Sequence, residues 1–173
     1  MAETDIDFWD YSLILYRSAG VADHCLSLQD DYGFDVNLVL FCAWYGHRFG
    51  NLPPTLLDQA VAFSTAWRES VVQPLRNVRK IMKGNEQLAA TVPISDYTAL
   101  RENIKKSELQ AEKLQQEELQ RLVNRSQESA EAEREVSATL TNFSTLCRTL
   151  QKADDDGMSE HLRAIAVASE KLS

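Results

Sequence analysis

Glycine and proline are scarce in this sequence, with six and four residues among 173. A chain with so few turn formers makes few turns, so long helices are favoured over many short strands. Cysteine is also rare, since there are only three residues, an odd number, and none is in a Cys-x-x-Cys spacing. This pattern argues against a disulfide framework and favours reduced thiols in a cytoplasm.

A membrane-spanning run and a secretory leader are missing as well. The apolar run Val36–Tyr45 is too short to cross a bilayer and contains Asn37 near its start. The first residues, MAETDIDFWDYS, are acidic, whereas a secretory signal begins with basic residues. We therefore expect a cytoplasmic protein with no membrane span.

An excess of basic residues is absent, because the net charge is −8 at pH 7 and the pI is near 4.9. Such a surface repels phosphate backbones on average, so general nucleic-acid binding is not expected. The sequence contains no Gly-x-Ser-x-Gly elbow, no glycine-rich phosphate loop and no His-Glu-x-x-His motif. With three histidines and none in a recognisable motif, the sequence does not support an enzyme and leaves that question open.

A zinc site is not expected either. His24, Cys25, Cys42 and His47 are ligands by residue type, but the adjacent His24 and Cys25 point about 100° apart on a helix. Tetrahedral zinc needs four ligands at about 2.0–2.3 Å from one point. We therefore expect no metal and no cofactor, and the cysteines are interpreted as small core residues.

Apolar residues are most concentrated in the segment Cys25–Gly46, CLSLQDDYGFDVNLVLFCAWYG, which predicts two helices separated by a glycine turn. The second of them, Val36–Gly46, is apolar on nearly every side, and such a helix has to be covered all round. We predict that it is the central element of the core. Gly33 is placed to take the left-handed conformation after one helix, and Asp35 is placed to cap the next.

The predicted fold is all-α, with a compact four-helix N-terminal domain at residues 1–90 and a long helical C-terminal extension at residues 91–173. Pro74 lies inside the fourth helix and is expected to kink it. The four N-terminal helices are predicted at residues 7–16, 21–32, 36–46 and 56–83.

The C-terminal extension is amphipathic. Ser95 is predicted to cap a long helix that begins one residue later, and an apolar stripe resumes after a polar stretch and runs to Leu150. Residues 96–150 therefore form either one helix or a hairpin broken near Ser126–Ala130, and a last helix follows at 158–172. The stripe is too irregular for clean heptads, so it packs either on the N-terminal domain or on a second copy of the chain.

Three segments carry a resemblance to a known family: LYRSAGVADHCLSLQDDYGFDVNLVLFCAWYG from Leu15, the residues around Trp67-Arg68-Glu69, and VVQPLRNVRKIMK from Val71. With them the chain resembles a family of short uncharacterised proteobacterial proteins, a domain of unknown function. The motif LQDxxGxDVNL at Leu28–Leu38 is the most specific part, and the resemblance covers about residues 8–83. It implies a bacterial cytoplasm and a domain boundary near Asn85, and it implies no activity, substrate or cofactor.

Five cations near the end of the fourth predicted helix form a candidate binding surface, which we call the basic stripe. They lie within about 120° of one another on a helical wheel and are Arg68, Arg76, Arg79, Lys80 and Lys83. In an acidic protein this concentration favours binding of a small anion or of an acidic partner surface. The alternative is internal pairing with Asp30, Asp31, Asp35 or the acidic C-terminal helices.

The function that the sequence favours is non-enzymatic binding or scaffolding. The protein is predicted to contact a protein partner, or to self-associate, through the basic stripe and the amphipathic C-terminal helices. The alternative is a site for a small anionic ligand, or an enzymatic site, between the second, third and fourth helices, with Asn37, Trp44, Trp67 and Arg68 as its candidates. Tightly clustered polar groups around a cavity of roughly a few hundred Å³ favour that alternative, and a solid apolar core argues against it.

Overall fold

The computed structural model describes residues 6–126 and 138–172 of the chain. All regular elements in these residues are helical, which confirms the all-α prediction. In chain order they are α1 (Phe8–Arg17), α2 (Val21–Asp30), α3 (Val36–Phe49), α4 (Pro54–Trp67), a π-helical segment (Arg68–Val72), α5 (Gln73–Gly84), α6 (Glu86–Ala89), α7 (Ile94–Ser126), α8 (Ala138–Thr149) and α9 (Asp156–Glu170). Within this part of the chain, no helix is both long and apolar enough to cross a membrane.

Helix α3 lies at the centre of the protein. Every residue from Asn37 to Gly46 is buried, and α3 is contacted by α1, α2, α4, α7, α8 and α9. The prediction that this apolar segment is an enclosed helix is therefore confirmed. Two residues set its start. Gly33 has a φ of +68°, which residues with a side chain rarely adopt, and the carboxylate of Asp35 accepts from the backbone N–H of Asn37 at 2.9 Å.

Aromatic side chains fill the space between α1 and α3. The ring of Phe8 stacks on Trp44 at a centroid distance of 5.1 Å and meets Phe41 edge-on at 5.8 Å. Trp44 in turn meets Phe49 edge-on at 5.4 Å. Phe8 and Phe41 are fully buried, so truncating either ring to alanine would cost about 3–5 kcal/mol of stability. This packing fixes α1 against α3.

The C-terminal helices pack on the N-terminal ones. Helix α8 contacts α3 and α4, and α9 contacts α2 and α3. Their buried side chains, with those of α7, join the residues of α1–α4 in a single hydrophobic cluster that includes Leu119, Leu146 and Ile165. The division into residues 1–90 and 91–173 stays a prediction from composition.

Asn142 ties α8 to the end of α3. Its Nδ2 donates to the carbonyl oxygens of Cys42 at 3.2 Å and Gly50 at 3.1 Å, and its Oδ1 accepts from the backbone N–H of Leu52 at 2.7 Å. The side chain is 1% exposed. One buried amide thus satisfies three backbone groups where α3 ends and the next loop begins, which fixes the register of α8 on α3.

Helices α7 and α8 are two helices and not one. Gln116 on α7 bonds to Asn37 near the start of α3, and Asn142 on α8 bonds to the carbonyl of Cys42, one and a half turns further along α3. A continuous helix would separate Gln116 from Asn142 by about 39 Å at 1.5 Å per residue. The same rise separates Asn37 from Cys42 by about 8 Å. Of the predicted break at Ser126–Ala130, Ser126 is the last described residue of α7, and the rest lies outside the described residues.

The fourth predicted helix is interrupted by a π-helical turn. Helices α4 and α5 are joined by the five residues Arg68–Val72, and the backbone N–H of Gln73 donates to the carbonyl of Arg68. The residue after Gln73 explains this π-helical turn. Pro74 has no N–H to give to the carbonyl of Ser70, and its ring would collide with that carbonyl in a regular α-helix. The wider turn before the proline relieves this conflict, and such turns are frequent at functional sites.

Ser95 does not occupy the predicted capping position. Helix α7 begins at Ile94, because the carbonyl of Pro93 already accepts from the backbone N–H groups of Asp96 at 3.0 Å and Tyr97 at 3.1 Å. Ser95 therefore lies inside the first turn, and its hydroxyl donates to the carboxylate of Asp96 at 3.3 Å.

The contact between α3 and α8 depends on Gly46. A Cβ at this position would lie 2.6 Å from Oγ1 and 2.8 Å from both Cα and N of Thr139. Because two of these are backbone atoms, Gly46→Ala forces the helices apart, and we expect a loss of about 1–3 kcal/mol in the free energy of unfolding. Urea denaturation followed by circular dichroism measures this loss.

Gly84→Ala is the matched control for this prediction. Gly84 ends α5 with nothing within 4 Å of an added Cβ, so alanine there is expected to be neutral or slightly stabilising. Equal stability of the two variants would show that α8 does not approach α3 as closely as described.

Candidate functional site

A cavity of about 390 Å³ opens between α1, α2, the start of α3, the π-helical segment, α5 and α7. We call it the main cavity. Its apolar lining, which we call the apolar wall, comes mainly from the first three helices, with Trp9, Leu13, Leu26, Phe34 and Leu40. Its polar and charged lining includes Ser12, Gln29, Asp30, Asp35, Asn37, Arg68, Arg76, Arg79, Lys80, Glu108, Glu112, Gln115 and Gln116. A volume of this size is within the range of small-molecule sites.

A chain of side-chain hydrogen bonds forms the floor of the main cavity, and we call it the amide chain. Ser12 Oγ donates to Gln116 Oε1 at 2.8 Å, and Gln116 Nε2 donates to Asn37 Oδ1 at 2.7 Å. Asn37 Nδ2 donates to Gln115 Oε1 at 2.9 Å, and Gln115 Nε2 donates to Asp35 Oδ2 at 2.7 Å. Every donor points the same way along the chain, which ends on the carboxylate. The arrangement fixes the orientation of all three amides.

Asp35 connects the amide chain to the backbone of α3. Its Oδ1 caps the helix at Asn37, and its Oδ2 receives the last bond of the chain from Gln115. Burial raises the pKa of Asp35 above its ordinary value, and the bonds from Gln115 and Asn37 and the charges of Arg68 and Arg76 oppose that rise. The carboxyl group is therefore easier to protonate than a surface aspartate.

A cluster of ion pairs closes the α5–α7 side of the main cavity. Arg76 donates from Nε to Glu108 at 3.0 Å, from Nη2 to Glu112 at 2.7 Å and from Nη1 to Gln29 at 2.6 Å. Arg79 donates from Nε and Nη2 to the two oxygens of Glu108. Two arginines thus face two glutamates. The cluster is electrically balanced and joins α2, α5 and α7.

The two glutamates of this cluster titrate differently. Burial opposes the ionisation of Glu108, but the bonds from Arg79 and Arg76 outweigh it and hold its pKa below the ordinary value. Burial raises the pKa of Glu112, and the single arginine at its side, Arg76, does not compensate fully. The ionised form of Glu108 is therefore part of the folded structure at neutral pH.

The structure separates the cations of the basic stripe. Arg76 and Arg79 point to α7 and are engaged by glutamates, which is the internal pairing with C-terminal acids that the sequence left open. Lys80 is exposed at the rim of the main cavity, and Lys83 is exposed near the end of α5. Arg68 lines the cavity from the π-helical segment. It makes one long bond, from Nη1 to the carbonyl of Gly33 at 3.5 Å.

Of the four residues predicted for the alternative site, two line the main cavity and two do not. Asn37 and Arg68 line the main cavity. Trp44 is 2% exposed among the core aromatic rings, and its indole N–H has no partner in the described part of the chain. Trp67 stacks on Phe63 and donates from Nε1 to the carbonyl of Ala111 at 3.0 Å, so it joins α4 to α7 behind the cavity wall.

The cysteines lie away from this site. Cys25 and Cys42 are fully buried in the hydrophobic cluster, and burial raises the pKa of Cys25 to about 12. All three thiols are free. In the residues that the structure describes, no group of three or more histidine, cysteine, aspartate or glutamate side chains is arranged to hold a metal ion.

Comparison with known families identifies the domain to which most of the chain corresponds. The model of a family described as "Protein of unknown function (DUF2390)" matches residues 7–119. The chain belongs to this family. The prediction of a domain of unknown function is thereby confirmed, while its proteobacterial source stays a prediction. The extent is corrected, because the DUF2390 match continues past residue 83 into α7. All residues that line the main cavity lie inside the DUF2390 match. Neither the curated proteins nor the solved structures yielded a match.

The sequence analysis missed four residues of α7 that line the main cavity and lie inside the DUF2390 match: Glu108, Glu112, Gln115 and Gln116. Apolar periodicity alone favours Leu114 for the inner face of α7, but this side chain is 43% exposed. The buried face of α7 instead runs through Glu108, Ala111, Gln115 and Leu119, at steps of three or four residues. That spacing is the signal for a polar site on an inner helix face, and it is found only if polar residues are allowed at core positions.

Removing one side chain from the amide chain should lower the free energy of unfolding. Gln116→Leu keeps the size of the side chain but leaves Asn37 Oδ1 without its donor inside the protein. We expect the free energy of unfolding to fall by about 1–3 kcal/mol, the cost of a buried polar group without a partner. Gln59→Leu, on the exposed face of α4, is expected to change it by less than about 0.5 kcal/mol. Equal urea midpoints for the two variants would contradict the buried chain.

The ionised Glu108 should make the free energy of unfolding depend on pH. Its pKa is lower in the folded protein than its ordinary value of 4.5, so the ionised group stabilises the fold above that pH, and the stabilisation is lost as the pH falls below it. Glu108→Gln should lower the free energy of unfolding at pH 7 by about 1.5–3 kcal/mol. The difference from the unsubstituted protein should shrink between roughly pH 5 and pH 3.

Urea titrations at a series of pH values measure this difference, and Glu160→Gln on the exposed face of α9 is the control. A difference that stays constant through the acid range would mean that the charge of Glu108 does not hold α5 on α7.

Proposed function

We propose that this protein binds a small organic anion in the main cavity. The observation that carries the proposal is the combination of a cavity of about 390 Å³ with a buried, oriented amide chain and an arginine that has no ion pair among the described residues. Sites for small molecules have this composition: a concave space, an apolar wall and a few fixed polar groups.

The amide chain supplies the fixed polar groups. Gln115 is 1% exposed, Gln116 4% and Asn37 9%, so their positions are set by the protein and not by water. A primary amide has two N–H donors, and the chain uses one from each. Asn37 and Gln116 both line the cavity, so an acceptor atom of a ligand would accept from their second N–H donors without breaking the amide chain.

Arg68 supplies the charge that selects an anion. The guanidinium groups of Arg76 and Arg79 are neutralised by Glu108 and Glu112 and have little to offer a ligand. Arg68 is half-buried, and its one bond is to a backbone carbonyl at the long limit of hydrogen bonding. Most of its five donors are therefore available to a carboxylate or a phosphate, which guanidinium binds in a two-pronged geometry.

The apolar wall indicates that the ligand is organic and not a bare ion. Trp9, Leu13 and Leu40 face the cavity, and Leu26, 45% exposed, stands at its edge. Contact with such a surface contributes about 25 cal/mol for each Å² of apolar area removed from water. A ligand with a carbon skeleton gains from this wall, and inorganic ions do not.

The same observations give less support to the partner-protein hypothesis. Two of the five cations in the basic stripe are paired inside the protein, and the apolar faces of α7, α8 and α9 pack on the N-terminal helices. A catalytic step is not part of the proposal. The lining of the main cavity, as far as the structure describes it, includes no histidine or cysteine. Of its carboxylates, Glu108 and Glu112 are bonded to arginines, and Asp35 is bonded to Asn37 and Gln115.

A panel of small carboxylic acids and phosphate monoesters, each with an apolar part, tests the proposal by thermal unfolding. At a hundredfold excess over its Kd, a compound that binds only the folded protein stabilises it by about 2.7 kcal/mol, which raises Tm by roughly 5–10 °C for a chain of this size. We expect at least one acid to do so, and we expect Arg68→Ala to abolish the shift while Arg163→Ala, at an exposed position of α9, leaves it unchanged.

A second pair of variants tests the location. Leu26→Trp places a larger ring at the edge of the main cavity, and Leu100→Trp places the same ring at an exposed site of α7 outside it. Loss of the shift in the first variant alone supports the proposal. No stabilising compound in the panel, or equal shifts in both tryptophan variants, would overturn it.

A further inference from the structure

A second, smaller cavity of about 120 Å³ lies next to the main one, and we call it the turn cavity. Its lining includes Gly33 of the α2–α3 turn, Arg68 of the π-helical segment, and Leu150 and Lys152 of the α8–α9 connection. Asp35 and Arg68 line both cavities, so they stand between the two spaces.

Two cations are held on the turn cavity by consecutive carbonyl groups. Lys152 Nζ donates to the carbonyl of Tyr32 at 2.6 Å, and Arg68 Nη1 donates to the next carbonyl, that of Gly33, at 3.5 Å. Lys152 also lies over the ring of Phe34, with Nζ 5.1 Å from its centroid. The left-handed turn at Gly33 therefore positions two cations from distant parts of the chain beside the same small space.

Neither cation is neutralised by an ion pair within the described residues. Both are half-buried and are bonded to neutral carbonyl oxygens, which leaves donors on each side chain unused. The acids on the cavity are Glu69, which is exposed, and Asp35, whose oxygens are engaged by Asn37 and Gln115.

We infer that the turn cavity binds a phosphoryl group, held between Arg68 and Lys152, an inference that rests on the proposed function in taking this group as the acidic end of the main-cavity ligand. The volume of about 120 Å³ has room for several water-sized groups, which is enough for a tetrahedral oxyanion. Two cations with unused donors match its charge and its acceptors.

Lys152 extends the proposed phosphoryl site into the C-terminal part of the chain. It lies beyond residue 119, where the DUF2390 match ends, and it comes from the connection between α8 and α9. The C-terminal part of the chain then completes a site whose other cation, Arg68, comes from the matched region. A bound phosphoryl group bridges the α8–α9 connection to the π-helical segment and stabilises their contact.

Inorganic phosphate is the first probe, titrated into the full chain against sodium chloride at equal ionic strength, with binding followed by calorimetry and by Tm. We expect saturable binding. Lys152→Met should weaken it by about tenfold or more, the effect of losing one charge-assisted bond, and Lys152→Arg should restore most of it because the charge is kept.

Lys106→Ala, an exposed cation on α7, is the matched control and should leave phosphate binding unchanged. Leu26→Trp separates the two cavities, because Leu26 lines only the main one. If Leu26→Trp abolishes binding of the organic acids but phosphate still binds through Lys152, both proposals stand. If the organic acids bind and phosphate does not, the turn cavity is not a phosphoryl site and the main-cavity proposal survives.

Phenyl phosphate distinguishes a phosphate ester from free phosphate. Binding at least tenfold tighter than inorganic phosphate, with the gain lost in Leu26→Trp, means that one ligand occupies both cavities. Equal affinity means that the turn cavity takes the free ion, which overturns the link between the two cavities. Phosphate binding that is absent, or that Lys152→Met and Lys106→Ala reduce equally, overturns the phosphoryl site itself.

Discussion

The enclosure of α3 on every side is the constraint on which the rest of the structure depends. A helix covered all round leaves no water for any polar group near it, so each such group needs a partner inside the protein. Asn37 is the polar side chain in the first turn of this helix, and it obtains its partners from Gln115 and Gln116 on α7. The amide chain is the result of burying one asparagine, and it fixes where α7 crosses α3.

Buried charged groups between α5 and α7 need partners inside the protein for the same reason. Arg76 and Arg79 lie where α5 packs on α7, and their side chains are about three-quarters or more buried. Their burial requires carboxylates, which Glu108 and Glu112 provide. Arg68 differs because its guanidinium is bonded to the carbonyl of Gly33, and the acid that shares both cavities with it, Asp35, is already bonded to Asn37 and Gln115. The proposed anion site is thus the place where the protein's own pairing of charges stops.

The sequence predicted the parts that depend on local pattern. The apolar run of α3, the glycine at φ +68° and the helix-capping carboxylate of Asp35 are each determined by a few adjacent residues. The pairing of Asn37 with Gln115 joins positions 78 residues apart, and no helical period specifies which surface faces which. Polar residues on the inner face of α7 were for the same reason indistinguishable from solvent-facing ones until the fold placed them. Ser95 failed as a cap because the preceding proline carbonyl starts the helix earlier.

Pro74 affects the candidate site through the π-helical turn that precedes it. On an uninterrupted α-helix, Arg68 and Arg76 are eight residues apart and point about 80° away from each other. A π-helical turn takes one more residue than an α-helical turn, so it changes the angle between the residues on its two sides by roughly 100°. The turn that relieves the proline therefore brings the two arginines close to one line, and both line the main cavity. Because they are two turns apart along that line, Arg76 reaches the glutamates of α7 while Arg68 stays level with Gly33. One residue without an N–H thereby determines that the cavity has one arginine paired and one available.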